Sequence, residues 1–248
     1  MKTISKHREI AIIVCGHGSN NLKFRKDFDA FIYKIKNKFS TFKVSFCFIE
    51  INSPSIEDSI NLHIEKHNKI IFVPALLFKG KHYTEDIIEK TQKIVNNQNI
   101  QLLVTKGIEL SSELVSCLSK EIGKKIKLKE NNLLITISSR SSAIKVKSDL
   151  RKYTLKLSES LEINNFISGS LDDEEGLFEK INKKISNDHF SNIVLHPLFL
   201  FDGFLYQSTK EKFQAKYKKL LITKPILRNN RAVQAFIKRV DEKICLFK

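Results

Sequence analysis

An apolar run of strand length followed by an amphipathic run of helix length occurs four times in the first half of this chain, and then the series begins again. Strands are expected at residues 9–15, 43–50, 69–77 and 101–105. The first intervening helix sets Phe24, Phe28, Phe31, Ile32, Ile35 and Phe39 on one face at helical spacing. The second opens at Ser53-Pro54-Ser55 with proline in its first turn, and others cover 84–96 and 111–122. A polar, lysine-rich stretch at 123–132 reads as a linker. Beyond it come strands at 132–137, 163–167, 193–199 and 220–223. Their helices carry Val146, Leu150, Tyr153, Leu157 and Leu161 on one face, then span 174–185, a segment from near Tyr206, and 229–246. Strands separated by helices form parallel sheets covered on both faces. The expectation is an α/β fold of two tandem similar domains, 1–126 and 127–248, each a four-stranded parallel doubly wound sheet.

Composition narrows the class. No apolar run approaches the 18 or so residues of a membrane span, and residues 1–10 lack the apolar stretch of a secretory signal. The chain reads as cytoplasmic. Cys15, Cys47, Cys117 and Cys245 are scattered and form no Cys-x-x-Cys pair, which argues against a disulfide framework, a zinc knuckle or an iron–sulfur site. Cys15 and Cys47 lie within strands and read as core packing. The formal net charge of +16 favours a polyanionic partner: nucleic acid, an anionic membrane surface or a ligand with many carboxylates. The lysines are spread as a solvated surface, without basic–aromatic interleaving, so neither nucleic acid nor membrane is expected as a partner.

In open α/β sheets ligands bind beyond the carboxyl ends of the strands. His17 lies just past the first strand in Cys-Gly-His-Gly-Ser, Glu50 at the end of the second, and His82 in the loop after the third. Two imidazoles and a carboxylate delivered to one rim can hold a divalent transition metal or exchange protons near neutral pH. Gly16 and Gly18 permit close approach of a ligand. No Gly-x-x-x-x-Gly-Lys-Ser/Thr occurs, and Gly16-x-Gly18 lacks the third glycine of a dinucleotide fingerprint, so no nucleotide cofactor is expected.

These segments resemble the class II chelatases of the sirohydrochlorin cobalto-/ferrochelatase family, the CbiX/SirB type, in its long two-domain form. The family's Gly-His-Gly-Ser is matched at 16–19, its Glu-x-x-x-Pro-Ser/Thr segment at 50–55, and its Val-Pro…Gly-x-His-x-x-x-Asp-Ile segment at 73–87. The match is close over 9–90 and looser through the repeat. The resemblance implies ATP-independent insertion of Co²⁺ or Fe²⁺, the metal being a substrate, into sirohydrochlorin in cobalamin or siroheme biosynthesis. His17 and His82 would bind the metal and take up pyrrole protons, with Glu50 assisting. The substrate's eight carboxylates give the basic surface a purpose, with Lys79, Lys81 and Arg140 as grips. Leu77 and Phe78 offer apolar contact, and Ser19, Asn52 and Gly80, in the same loops, are further substrate-binding residues that the resemblance implies.

Other features carry less. His63 and His67 stand four apart beside an Ile60/Ile64 stripe, without a third ligand nearby. His196 reads as a satisfied structural histidine, and 172–175 as acidic charge at a helix start. The second half has Ser139, Ser168 and Leu205 where the first has His17, Glu50 and His82, so it is not expected to metallate alone. A non-catalytic tetrapyrrole or metal carrier on the same scaffold is the alternative. Because the duplication can stand in for a dimer, monomer and homodimer both remain open.

Overall fold

The computed structural model describes residues 9–78, 80, 82–96, 98–108, 110–127, 130–141 and 143–247. Two four-stranded, all-parallel sheets are present. In the first, β1 (Ile10–Gly16), β2 (Lys43–Phe48), β3 (Lys69–Pro74) and β4 (Gln101–Val104) lie in the order β2-β1-β3-β4. In the second, β5 (Asn132–Ser138), β6 (Asn165–Ser170), β7 (Asn192–Pro197) and β8 (Leu220–Ile222) lie in the order β6-β5-β7-β8. The central strands β1 and β5 are buried along their whole length, as a parallel sheet with both faces covered requires.

The helices are α1 (Leu22–Lys38), α2 (Ile56–Ile64), α3 (Lys90–Val95), α4 (Ser112–Gly123), α5 (Ile144–Ser160), α6 (Glu174–Asn187), α7 (Phe204–Lys216) and α8 (Asn230–Cys245). A π-helical segment, His82–Glu89, precedes α3, and a 3₁₀ turn, Ile226–Arg228, precedes α8. Alternate residues of β1 face opposite sides. Ala11, Ile13 and Cys15 join Cys47, Ile56, Ile60, Phe72 and Ile87 in one apolar cluster. Near the second strand Phe28 of α1 packs against Phe48 at 4.9 Å between ring centres. A Cβ on Gly16 would stand 2.7 Å from that Phe28 ring, so the end of β1 must be glycine for α1 to close on it.

Several sequence expectations shift. β2 stops at Phe48, leaving Glu50 in a bend two residues beyond it. Pro54 lies outside the helix it was expected to open. Ser55 is the N-cap, its hydroxyl accepting from the Asp58 N–H while Asp58 accepts from the Ser55 N–H. The helix expected over 84–96 instead starts at His82 as a π turn and becomes α-helical at Lys90. The strand expected at 163–167 runs from Asn165 to Ser170.

Packing divides the chain into two compact units, Met1–Glu109 with Val233–Lys248, and Leu110–Ala232. This differs from the division expected at 126/127. The reason is that α4, sequentially in the first repeat, belongs to the second unit, where its Ser119 hydroxyl accepts from Ser160 of α5 at 2.8 Å. The end of α8 belongs to the first, where Phe236 meets Phe31 edge to face at 4.8 Å.

The two copies differ at equivalent rungs of their sheets. Val14 pairs with Val73 in the first sheet, and Thr136 with His196 at the same rungs of the second. Phe31 and Tyr153 are likewise the tenth residues of α1 and α5. The fully buried His196 bonds Tyr153 Oη at 2.9 Å through Nε2 and Thr223 Oγ1 at 2.6 Å through Nδ1. In the first unit, with Val73 there instead, the equivalent Thr105 Oγ1 is buried without a partner. His196 is thus a satisfied core histidine, as expected.

Burial holds the His196 imidazole down to about 4. His63, bonded to Ser45 Oγ at 2.7 Å, is also held to about 4, by burial first and then by His67, Lys43 and Lys66. The unfolded chain would protonate both near 6.5, so it takes up protons that the fold refuses. Stability is full above pH 6.5 and is lost as pH falls toward 4, by at most about 1.4 kcal/mol per pH unit for each histidine. Urea unfolding across this range should show that slope. A Tyr153→Phe/His196→Val variant, copying the first unit's core, should lose one proton's worth of it.

Candidate functional site

Successive strands of the first sheet are added on opposite sides of β1, so the strand order reverses between β1 and β3, and the segments leaving β1, β2 and β3 share one rim. The parallel ladder continues past the strand ends. Ile49 N–H donates to Gly16 O at 2.9 Å, Glu50 N–H to His17 O at 3.1 Å, and Ala75 N–H to Cys15 O at 2.8 Å. This extension sets the His17 imidazole beside the Glu50 carboxylate, Nδ1 to Oε1 at 3.4 Å. Both side chains are nearly half open to solvent, 41% and 49%, which suits groups that must meet a ligand. The carboxylate can fix the ring's orientation and stabilise its protonated form.

Gly18 makes the arrangement possible. Its φ is +105°, and a Cβ there would fall 2.0 Å from the Glu50 carbonyl oxygen. The Ser19 N–H then donates to Asn52 Oδ1 at 2.6 Å, and Ser19 Oγ accepts from the Asn21 N–H at 3.2 Å. Asn21 in turn caps α1 by accepting from the Lys23 N–H. Ser19 and Asn52, expected to contact substrate, therefore brace the two loops against each other.

The third segment leaves β3 at Pro74. His82 is the first residue of the π-helical segment, a helix form that recurs at functional sites. Its side chain lies outside the described residues, as do Lys79 and Lys81. Neighbouring contacts fix the backbone here. Gly80 O accepts from the Tyr83 N–H at 3.0 Å, and Tyr83 Oη donates to Thr105 O at 3.1 Å. Tyr206 repeats that clamp on Thr223 O in the second unit. A Cβ on Gly80 would meet nothing within 4 Å, so packing does not demand this glycine. Leu77 is buried at 8% exposure, and Phe78 is half-buried. Arg140 is exposed in the second unit.

Among the described side chains no group of three His, Cys, Asp or Glu is placed to hold an ion, and the third donor expected at this rim, His82, stands outside them. The His63–His67 pair is not a chelate: His63 is buried against Ser45, and His67 lies past the end of α2 with Nδ1 toward the His63 carbonyl at 3.3 Å.

The second unit corrects one expected correspondence. Gly16 pairs with Phe48 and Ser138 with Ser170 at equivalent rungs. Two residues past Phe48 stands Glu50, and two past Ser170 stands Asp172, so Asp172 and not Ser168 occupies the glutamate's place. Asp172 Oδ2 accepts from the Ser141 N–H at 2.7 Å and the Ser170 hydroxyl at 3.3 Å, which ties the exposed carboxylate to its own loop. Its neighbour Asp173 caps α6 by accepting from the Gly176 N–H, and Glu174 and Glu175 follow in the first turn. Where the first unit has Lys79, the second has the buried Asp202, bonded to Gln207 and, at 2.9 Å, to Arg228 Nη2.

Substituting Gly18 with Ala should force the loops apart. The expected loss is about 1–3 kcal/mol in urea unfolding, with a smaller cost at Gly80→Ala, where the added methyl group meets no neighbour.

Known proteins resemble this chain along most of its length. A sirohydrochlorin ferrochelatase of Priestia megaterium is 25% identical over 216 residues, 84% of this chain and 79% of that protein. The solved structure of SirB from Bacillus subtilis with Fe³⁺ superposes with a TM-score of 0.81 at 23% identity, over 94% of this chain and 95% of that one. The sirohydrochlorin chelatase SirB from Bacillus subtilis subspecies spizizenii, in complex with cobalt, gives a TM-score of 0.76 at 23% identity, over 94% of each chain. At such identities the two structures speak to the fold. The CbiX family model matches residues 11–125 and again 134–243, nearly the whole sequence in two copies. A repeat matched twice by one model, on a sheet whose first copy keeps His17 beside Glu50, makes this chain a member of the CbiX family.

Proposed function

We propose that this chain is a sirohydrochlorin chelatase, a lyase that inserts Co²⁺ or Fe²⁺ into the macrocycle without ATP in siroheme or cobalamin biosynthesis. The observation that carries the reading is the open His17–Glu50 pair, 3.4 Å apart at the rim that His82 also joins through the chain. The Priestia megaterium relative bears the name of this activity, and family membership extends it to this chain.

Metallation joins a dication to four ring nitrogens and releases two pyrrole protons. The chain must present the ion and accept the protons at one place. A neutral imidazole does either, because its lone pair serves a metal or a proton. His17 takes a proton at Nε2 or Nδ1, and Glu50 stabilises the imidazolium that results. His82, from the segment after β3, is the second nitrogen donor for the arriving ion. With two imidazoles and a carboxylate the donor set accepts either metal. The formal charge of +16 draws a polycarboxylate pigment toward the surface, so association should weaken as salt is raised. No helix among the described residues is long and apolar enough to cross a membrane. We place the reaction in the cytoplasm.

The test is anaerobic incubation of the protein with sirohydrochlorin and Co²⁺, Fe²⁺ or Ni²⁺, following the visible spectrum. His17→Ala and His82→Ala should each lower turnover by about 10²–10⁴-fold, the range of a positioned proton acceptor. Glu50→Gln should cost less, because it orients and does not replace the imidazole. Full turnover in either histidine variant, once the uncatalysed rate is subtracted, would falsify the assignment. Tight pigment binding without rate enhancement in the parent protein would make it a carrier.

A further inference from the structure

Two non-glycine residues have positive φ among those described, Ile51 at +69° and Glu162 at +54°. Glu162 follows the last residue of α5 by two, where helices commonly end in the left-handed conformation. Ile51 ends no helix. It is the centre of a three-residue turn closed by the Asn52 N–H donating to Glu50 O at 2.7 Å. With positive φ this is the strained form of the γ-turn, and a β-branched side chain suits it badly.

Its surroundings hold the conformation in place. Asn52 is tied to the Ser19 N–H at 2.6 Å, the Glu50 carbonyl fills the space a side chain on Gly18 would need, and Phe48 N–H donates to Pro54 O at 2.9 Å. Strain kept by so many contacts collects at functional sites. Nor does the side chain repay it by packing, since Ile51 is 57% exposed. Glycine or asparagine would fit the backbone more easily, and a polar group would suit the exposure. An isoleucine makes sense here if an apolar surface comes to it. It adjoins Glu50, whose carboxylate lies 3.4 Å from His17. A tetrapyrrole has its acids on the periphery and an apolar conjugated face.

We infer that Ile51 is a substrate-binding residue whose side chain packs on the face of the macrocycle beside His17 and Glu50. The inference rests on the chelatase reading for its ligand. It concerns a residue that contributes binding and not proton transfer.

The experiment compares parent, Ile51→Gly, Ile51→Asn and, as a control, Leu62→Ala on the exposed side of α2. Each is measured for melting temperature, for kcat and KM with Co²⁺ and sirohydrochlorin, and for binding of metal-free sirohydrochlorin by absorbance titration. Both Ile51 variants should melt at a higher temperature. Their KM and pigment dissociation constant should rise about tenfold, as expected for losing one buried aliphatic contact, with kcat within about twofold; Leu62→Ala should move neither. The asparagine variant keeps the loop ordered, so weakened binding there cannot be ascribed to added flexibility. Unchanged binding in either Ile51 variant, or a lower melting temperature in both, overturns the inference. A parent that binds pigment without metallating it defeats the chelatase reading alone, and the titration still decides Ile51. A parent that binds no pigment defeats both.

Discussion

The Glu50 N–H to His17 carbonyl hydrogen bond is the contact on which this site depends. It extends the β1–β2 ladder beyond the regular strands, and it turns two loops into a single rigid edge. Without it the imidazole and carboxylate would sit on separate flexible connections, and their separation would fluctuate by more than a ligand can tolerate. Because parallel strands carry evenly spaced bonds, one extra rung fixes the side chains that follow on both sides. Gly18 is the condition for that rung, since any side chain there collides with the Glu50 carbonyl. The core beneath, with β1 buried throughout, gives the edge a foundation that does not shift.

The two copies show what such a scaffold retains when its rim changes. Each preserves the strand order, the tyrosine clamp on the threonine carbonyl after the fourth strand, and the length of the first helix. What differs is where polar groups are placed. The first copy keeps them at the rim, open to a ligand. The second ties Asp172 to its own loop, buries Asp202 and sets a Tyr153–His196–Thr223 network in its core. At the glutamate's position Asp172 Oδ2 accepts from the Ser141 N–H and the Ser170 hydroxyl, so one of its oxygens serves the loop.

Much of this was legible in the sequence because the signals were local or periodic. The Phe24–Phe39 spacing on α1 and the apolar runs of all eight strands follow from burial alone. The rim placement of His17 and Glu50 followed from a rule of parallel topology. What was illegible depended on register and on backbone angles. Ser168 was matched to Glu50 by rough position, whereas hydrogen-bond pairing identifies Asp172; only the partners of Gly16 and Ser138 decide that. The left-handed angle at Ile51 leaves no trace in composition, since isoleucine ordinarily signals a strand. Nor could spacing foretell that α4 would leave its own repeat, because helices of similar amphipathicity fit either sheet.

That exchange has a consequence for how the chain matures. The unit bearing His17 and Glu50 is built from two segments far apart in sequence, Met1–Glu109 and Val233–Lys248. Its sheet is synthesised well before α8, yet the apolar side of α1 around Phe31 waits for Phe236 of that helix. The unit that carries the rim therefore cannot finish assembling until the whole second unit has been synthesised, and a chain cut short before Val233 would carry the rim without the helix that packs on Phe31.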